Sequence, residues 1–160
     1  MHILTRCLAI CMLVAGMAVL RAGEAKKFES IAEEREILTL TNRERKAKEL
    51  PPLKLSVTLS KVARAHSENM ARQGKMEHTL DKKTPFDRIK ASGYRYFAAG
   101  ENIAMGEEGA KLSAIMKAWM ESKGHRENIL DTRFMEIGIG IATSKDGTMY
   151  LTQVFAKPRK

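Results

Sequence analysis

At Asp131 the hydrophobic pattern of this chain changes period, and no other feature limits its fold as much. Beyond that point Ile137-Gly138-Ile139-Gly140-Ile141 alternates with period two, and a second run from Thr148 to Phe155 carries Tyr150, Val154 and Phe155. Successive side chains of a strand point to opposite faces, so both runs read as half-buried strands. The Ser144-Lys145-Asp146-Gly147 segment between them predicts a hairpin turn. A further strand is expected around Tyr94 to Ala104, with Gly100 and Gly106 breaking it.

Before Asp131 the apolar residues recur at helical spacing. Ser30 followed by Glu33 predicts a capping box that opens a helix running to about Lys48, which Leu50-Pro51-Pro52 must stop. A second helix is expected from near Ser56 or Thr58 to Gln73, with the stripe Leu59, Val62, Ala63, His66 and Met70 and a left-handed stop at Gly74. Thr84-Pro85 opens a short third helix that ends at Gly93. Leu112, Ile115, Met116 and Trp119 fall at i, i+3, i+4 and i+7 and place one indole on the buried side of a fourth. A short fifth helix begins near Gly124, with Ser122 as its cap. Helices first and a sheet late predict the α+β class, with helices packed on a mainly antiparallel sheet.

The N-terminus predicts export. Arg6 is followed by an apolar, uncharged stretch from Cys7 to Leu20, the two leading regions of a secretory signal peptide. The run is too short for the roughly 20 apolar residues of a membrane-spanning helix. Small residues permit cleavage after Ala22 or after Ala25, so residues 1–25 read as a leader and 26–160 as one domain of about 135 residues. Both cysteines, Cys7 and Cys11, lie in the leader. The exported domain is therefore expected to lack disulfides and thiol chemistry, to hold by packing around residues such as Trp119, Ile139 and Phe155, and to ignore reductant. Its expected location is secreted or periplasmic.

With 28 Lys plus Arg against 19 Asp plus Glu, the formal charge is +9. A basic exported protein is drawn to anionic cell-envelope polymers or lipid headgroups, and salt weakens that attraction. Nucleic acid is not expected as a partner, because basic and acidic residues alternate along the helices as on a solvated face, and no nucleic-acid-binding motif is present.

Three histidines remain beyond the leader: His66, His78 and His125. His66 sits on an apolar stripe and reads as a hydrogen-bonded core residue before it reads as a ligand. His78 lies in a loop just past a helix stop. Glu101 and Asn102 sit between Gly100 and apolar strand residues, and an inward-facing Glu101 would need a partner, since a bare buried carboxylate is costly. His125, at a helix start, should favour the neutral imidazole that serves as base or metal ligand. An equally good reading has His125 capping a turn and Glu101 paired with a nearby arginine.

Taken in order, Asn42-x-Glu44-Arg45, Leu50-Pro51-Pro52-Leu53, Ala65-His66-Ser67, His78-Thr79, Phe86-Asp87-Arg88-Ile89, Gly93-Tyr94, Gly100-Glu101-Asn102-Ile103-Ala104, Ser122-x-Gly124-His125-Arg126-x-Asn128-Ile129-Leu130 and Thr152-Gln153-Val154-Phe155 resemble a bacterial SCP-like member of the CAP superfamily. That superfamily groups cysteine-rich secretory proteins, antigen 5 and pathogenesis-related 1 proteins. The resemblance implies a three-layer α-β-α sandwich and a cleft lined by two histidines and two glutamates, which in some members hold a divalent metal such as zinc. By position the first histidine is His78, the glutamate of the Gly-Glu-Asn motif is Glu101, and the second histidine is His125. The second glutamate has no counterpart: its place is taken by Ser122, and Glu121 should face elsewhere on its helix.

Two imidazoles and one carboxylate form a reasonable zinc set with an open position. The His-Glu-x-x-His helix of metalloproteases is absent, and no serine or cysteine nucleophile stands in a recognisable setting. The leading expectation is a secreted, non-enzymatic domain whose cleft of His78, Glu101, His125, Ser122 and Asn102 binds a small ligand or a divalent metal, with His78, Glu101 and His125 as the metal set. Two alternatives are a metal-dependent hydrolase acting on extracellular or cell-envelope material and a lipid- or sterol-binding surface module, the latter implied by lipid binding among CAP-like proteins.

Overall fold

The structure, a computed structural model, describes residues 28–159; the expected leader and its cleavage point lie outside the described residues. Within them the order is α1 (Ala32–Lys46), β1 (Lys54–Leu55), α2 (Val57–Gln73), α3 (Pro85–Ala91), β2 (Tyr96–Glu107), α4 (Leu112–Glu121), α5 (Lys123–Leu130), β3 (Glu136–Thr143) and β4 (Thr148–Pro158). The strands form one sheet in the order β1-β3-β4-β2. β4 pairs antiparallel with both neighbours. β1 joins parallel to β3, so the sheet is mixed, and two backbone bonds hold it there: Lys54 N–H to Met135 O and Ser56 N–H to Ile137 O, at 3.0 and 2.8 Å.

The alternating run decides how the sheet is covered. Ile137, Ile139 and Ile141 enter the core under α1, α4 and α5 with Trp119, Ile129, Phe134 and Phe155. Gly138 and Gly140 face α2 on the other side. A Cβ on Gly138 would stand 2.1 Å from the carbonyl carbon of Leu59, and one on Gly140 would stand 2.1 Å from the backbone nitrogen of Arg64. The absence of side chains lets the backbone of α2 lie directly on the sheet, where Leu59, Val62 and Ala63 meet Val154 and Ala156. The result is an α-β-α sandwich with α2 alone over the middle of one face.

Three expectations need correction. The capping carboxylate of α1 is Glu34 and not Glu33, because Ile31 rather than Ser30 occupies the N-cap position. Glu34 Oε2 accepts from Ser30 Oγ at 2.9 Å and from the Ile31 N–H at 3.2 Å. Gly100 and Gly106 do not break β2, which runs through both in register with β4. Gly100 is instead a point of close approach, since a Cβ there would lie 2.7 Å from Asn128 Oδ1. Helix α1 also ends at Lys46, before the expected Lys48, and Glu49 takes the left-handed conformation with φ 57°. The turn is locked by the buried Arg45, whose guanidinium donates to the carbonyls of Pro51, Ile129 and Asp131, each at 2.9 Å.

Candidate functional site

β2 is an edge strand, and the site wraps around its free edge. Glu101 and Asn102 are consecutive there, so their side chains leave on opposite faces of the sheet. Glu101 turns toward α2 and α3, and Asn102 toward α5. This division separates two kinds of polar chemistry that the sequence presents side by side.

On the α2 side the Glu101 carboxylate is only 2% exposed. Its Oε2 accepts from Arg88 Nη2 at 2.6 Å, and its Oε1 lies 2.9 Å from His78 Nδ1. Arg88 is held in place by two further bonds, from Nη1 to the carbonyls of His78 and Lys83, both at 2.9 Å. Charge-assisted bonds of this length offset the cost of burying the carboxylate. His66 approaches the same carboxylate, with Nε2 3.9 Å from Oε1. That nitrogen bonds the Glu77 carbonyl at 3.0 Å. A carbonyl can only accept, so Nε2 carries the hydrogen, and the bond ties the loop before His78 to α2. Burial lowers the pKa of His66 below its ordinary value, outweighing the opposing pull of Glu101.

The same reasoning fixes the orientation of His78. A carboxylate oxygen accepts, so Nδ1 of His78 donates to Glu101, and Nε2 is the nitrogen that a ring 49% exposed offers to the open cleft. The cleft has a volume of about 460 Å³, with Phe86 and Asn128 among its walls.

On the other side Asn102 is fully buried within a chain of amides. Its Nδ2 donates to the His125 carbonyl and to Gln153 Oε1, both at 3.1 Å. Asn128 Nδ2 donates to Asn102 Oδ1 at 2.9 Å and to the Glu101 carbonyl at 3.2 Å. Gln153 Nε2 continues to Thr41 Oγ1 at 2.8 Å. A buried network with every member paired specifies one arrangement. Here it fixes the start of α5, and with it His125, against β2. The half-buried His125 ring has its pKa lowered by burial first and by the neighbouring His78 second. Ser122 is the joint between α4 and α5, with its N–H bonded to Ala118 O at 3.1 Å and no side-chain capping bond. Glu121 is exposed beside Lys117.

His78, Glu101, Asn102 and His125 are thus gathered at one strand edge, while Ser122 serves the backbone. The expected metal set does not form a cage as arranged: among the described residues no group of three or more His, Cys, Asp or Glu side chains converges to hold an ion. The reason is local, since both oxygens of Glu101 are engaged, one by the Arg88 cation and one by His78. Arg88, Asn128, Gln153 and Thr41 belong to the site and were not singled out as site residues from sequence. Arg88, Asn128 and Gln153 fall within the quoted motifs, and Arg88 is the arginine that the paired reading of Glu101 required without naming it.

Residues 38–155 match the family described as CAP, cysteine-rich secretory protein family. The chain belongs to the CAP family. It is 41% identical to YkwD of Bacillus subtilis (strain 168) over 127 residues, which make up 79% of this chain and 48% of that protein. An extracellular protein containing an SCP domain from Bacillus anthracis str. Ames superposes with a TM-score of 0.68 at 30% identity, covering 78% of this chain and 40% of that one. An outer surface protein from Borrelia burgdorferi shares the fold, with a TM-score of 0.75 at 23% identity over 82% of this chain and 97% of that one. The chain therefore spans about half or less of YkwD and of the Bacillus anthracis protein. No helix among the described residues of this CAP domain is long and apolar enough to cross a membrane.

Proposed function

We propose that this CAP domain is exported by its N-terminal leader, cleaved after Ala22 or Ala25, and acts outside the cell as a non-catalytic binding domain. Its cleft at the β2 edge takes a small polar ligand. The observation that carries this reading is the 2.9 Å bond between His78 Nδ1 and Glu101, which turns His78 Nε2 toward a cleft open to solvent. In this reading Glu101 orients His78, Arg88 balances the carboxylate, the amide chain through Asn102 fixes the start of α5 that carries His125, and a ligand N–H or O–H is received by His78 Nε2. A carboxylate behind an imidazole fixes both its tautomer and its direction. The extracellular and outer-surface descriptions of the Bacillus anthracis and Borrelia burgdorferi proteins support the expected location.

A resident divalent metal is not part of this reading, because the Glu101 charge is already balanced by Arg88 and its other oxygen is bonded to His78 Nδ1. The test is a fragment screen of small amides, alcohols and amines against histidine-labelled protein, followed by long-range proton–nitrogen NMR, with a zinc titration alongside. Hits that shift His78 Nε2 and disappear in His78→Ala/His125→Ala support the reading. Hits indifferent to both substitutions, or a tight zinc site engaging Glu101 in the unmodified chain, would overturn it.

One observation also favours a second reading: a histidine oriented by a carboxylate is what a general base requires. A hydrolytic role predicts turnover of extracellular or cell-envelope material that vanishes in His78→Ala. Screening with and without chelator then separates a metal-dependent hydrolysis from an unaided one.

A further inference from the structure

The bonds that build the His78 cleft leave two of its side chains with the same polar chemistry to offer. His78 donates its Nδ1 hydrogen to Glu101 at 2.9 Å, so Nε2 is a bare acceptor. Asn128 is fixed in the same way. Its Nδ2 spends both hydrogens, one on the Glu101 carbonyl at 3.2 Å and one on Asn102 Oδ1 at 2.9 Å. A carbonyl only accepts, so the amide cannot be turned round, and Oδ1 is its free end. A Cβ on Gly100 would lie 2.7 Å from that oxygen, and Gly100 and Asn128 both line the cleft. Among the described residues the buried side-chain atoms without a partner are His66 Nδ1 and Arg88 Nε. Asn128 Oδ1 also lacks a donor but is not buried, so it meets solvent. The Thr84 hydroxyl nearby is already committed to Asp87.

The rest of the lining narrows the ligand further. With His78 neutral, Glu101 is the one charged side chain that lines the cleft, and Arg88 matches it at 2.6 Å. An anion would meet two lone pairs. A cation would find no free carboxylate, in a chain of formal charge +9. A neutral molecule that donates two hydrogens meets neither obstacle. Phe86 is 50% exposed and forms an apolar wall with Pro85 and Ala99. The negative face of an aromatic ring attracts C–H hydrogens. A pyranose with equatorial hydroxyls supplies both complements, since its axial C–H bonds make an apolar face and neighbouring hydroxyls donate from its rim. The volume of about 460 Å³ lies within the range of about 300–1,000 Å³ typical of small-molecule sites.

We propose that the cleft binds a neutral saccharide of equatorial pyranose rings, with hydroxyls donating to His78 Nε2 and Asn128 Oδ1 and a C–H face laid on Phe86. The proposal rests on the reading of the cleft as a small-ligand site and names the class of that ligand.

The probe is cellobiose, titrated into the isotope-labelled full exported chain, with permethylated cellobiose and N-acetylglutamine N-methylamide as comparisons. Cellobiose should bind saturably, and the His78 Nε2 and Asn128 side-chain carbonyl resonances should both move as each atom accepts a hydrogen. Permethylation keeps the C–H faces and removes every donor, so that sugar should not bind. Phe86→Ala, at an exposed position, and His78→Ala should each weaken binding about tenfold. Salt should leave the affinity unchanged, because no unmatched charge takes part. No saturable binding of cellobiose, equal affinity for the permethylated sugar, or unchanged affinity in Phe86→Ala would each overturn the proposal. Tighter binding of the glutamine amide would overturn it too, and would assign the cleft to a peptide. Amide or alcohol fragments that shift His78 Nε2 while cellobiose does not would remove the saccharide and leave the small-ligand site standing. Failure of the fragments and of cellobiose alike would remove both.

Discussion

Replacing Arg88 with methionine removes the guanidinium and keeps an unbranched side chain of similar reach. The Glu101 carboxylate, 2% exposed, loses a bond of 2.6 Å to a partner itself only 13% exposed. Breaking a buried pair from one side costs about 3–5 kcal/mol, because the remaining charge keeps its desolvation penalty without its compensation. His78 still donates to the other oxygen, which places the expected loss near the lower end, about 3 kcal/mol. Two carbonyls, those of His78 and Lys83, also lose their donor, so the loop carrying His78 should loosen. Urea denaturation followed by the fluorescence of Trp119, the single tryptophan of the chain, reads the global cost. Glu101→Gln should cost less in the Arg88→Met background than in the parent, with a coupling of about 1.5 kcal/mol or more. A loss below about 1 kcal/mol for Arg88→Met, or strict additivity of the two substitutions, would refute the role assigned to this pair.

Other consequences are as direct. Gly138→Ala places a methyl 2.1 Å from the Leu59 carbonyl carbon, and since the obstacle is backbone, α2 must lift from the sheet; the expected cost is about 3 kcal/mol or more, and a thermal midpoint near that of the parent would contradict the direct seating of α2. Asn102→Leu leaves the His125 carbonyl, Gln153 and Asn128 each short of a partner, for a loss of about 3 kcal/mol, with amide exchange in α5 accelerating; unchanged exchange there would show that the amide chain does not fix His125. The folded-state pKa values of His66 and His125 both lie below 6.5 through burial, so the unfolded chain binds more protons just under that value. Their stabilising effect is complete above pH 6.5 and is lost as the pH falls from there through the folded values, by at most about 1.4 kcal/mol per pH unit for each ring. Urea midpoints measured from pH 8 to pH 5 check this, and a flat profile would contradict it.

The parts of this structure that the sequence made legible are those governed by local pattern. The stripe of α2, Trp119 under α4, the Thr84-Pro85 start of α3 and the hairpin at Gly147 each follow from spacing and turn chemistry alone. Gly100 shows where such reading ends. A glycine in a strand suggests a break, yet its reason here is Asn128, 28 residues away and brought close only when α5 docks. The choice of Glu34 over Glu33 likewise depends on Arg64, which reaches it at 2.6 Å from α2. β1 is two residues long and carries no period to detect. Within the site, His78, Glu101 and His125 were legible as a group through family resemblance, and Asn102 as a polar residue set between a glycine and apolar strand residues. The role of Glu101 was not, since a carboxylate reads as a metal ligand or an ion-pair partner until the position of Arg88 is known.

The claim at the centre is that Glu101 orients His78 and leaves Nε2 to the cleft. Long-range proton–nitrogen NMR of the imidazoles, recorded where the rings are neutral, tests it directly. The account predicts that His78 carries its hydrogen on Nδ1 with Nε2 bare, and that this preference disappears in Glu101→Ala. A His78 ring protonated on Nε2 with Nδ1 bare in the unmodified chain would contradict it.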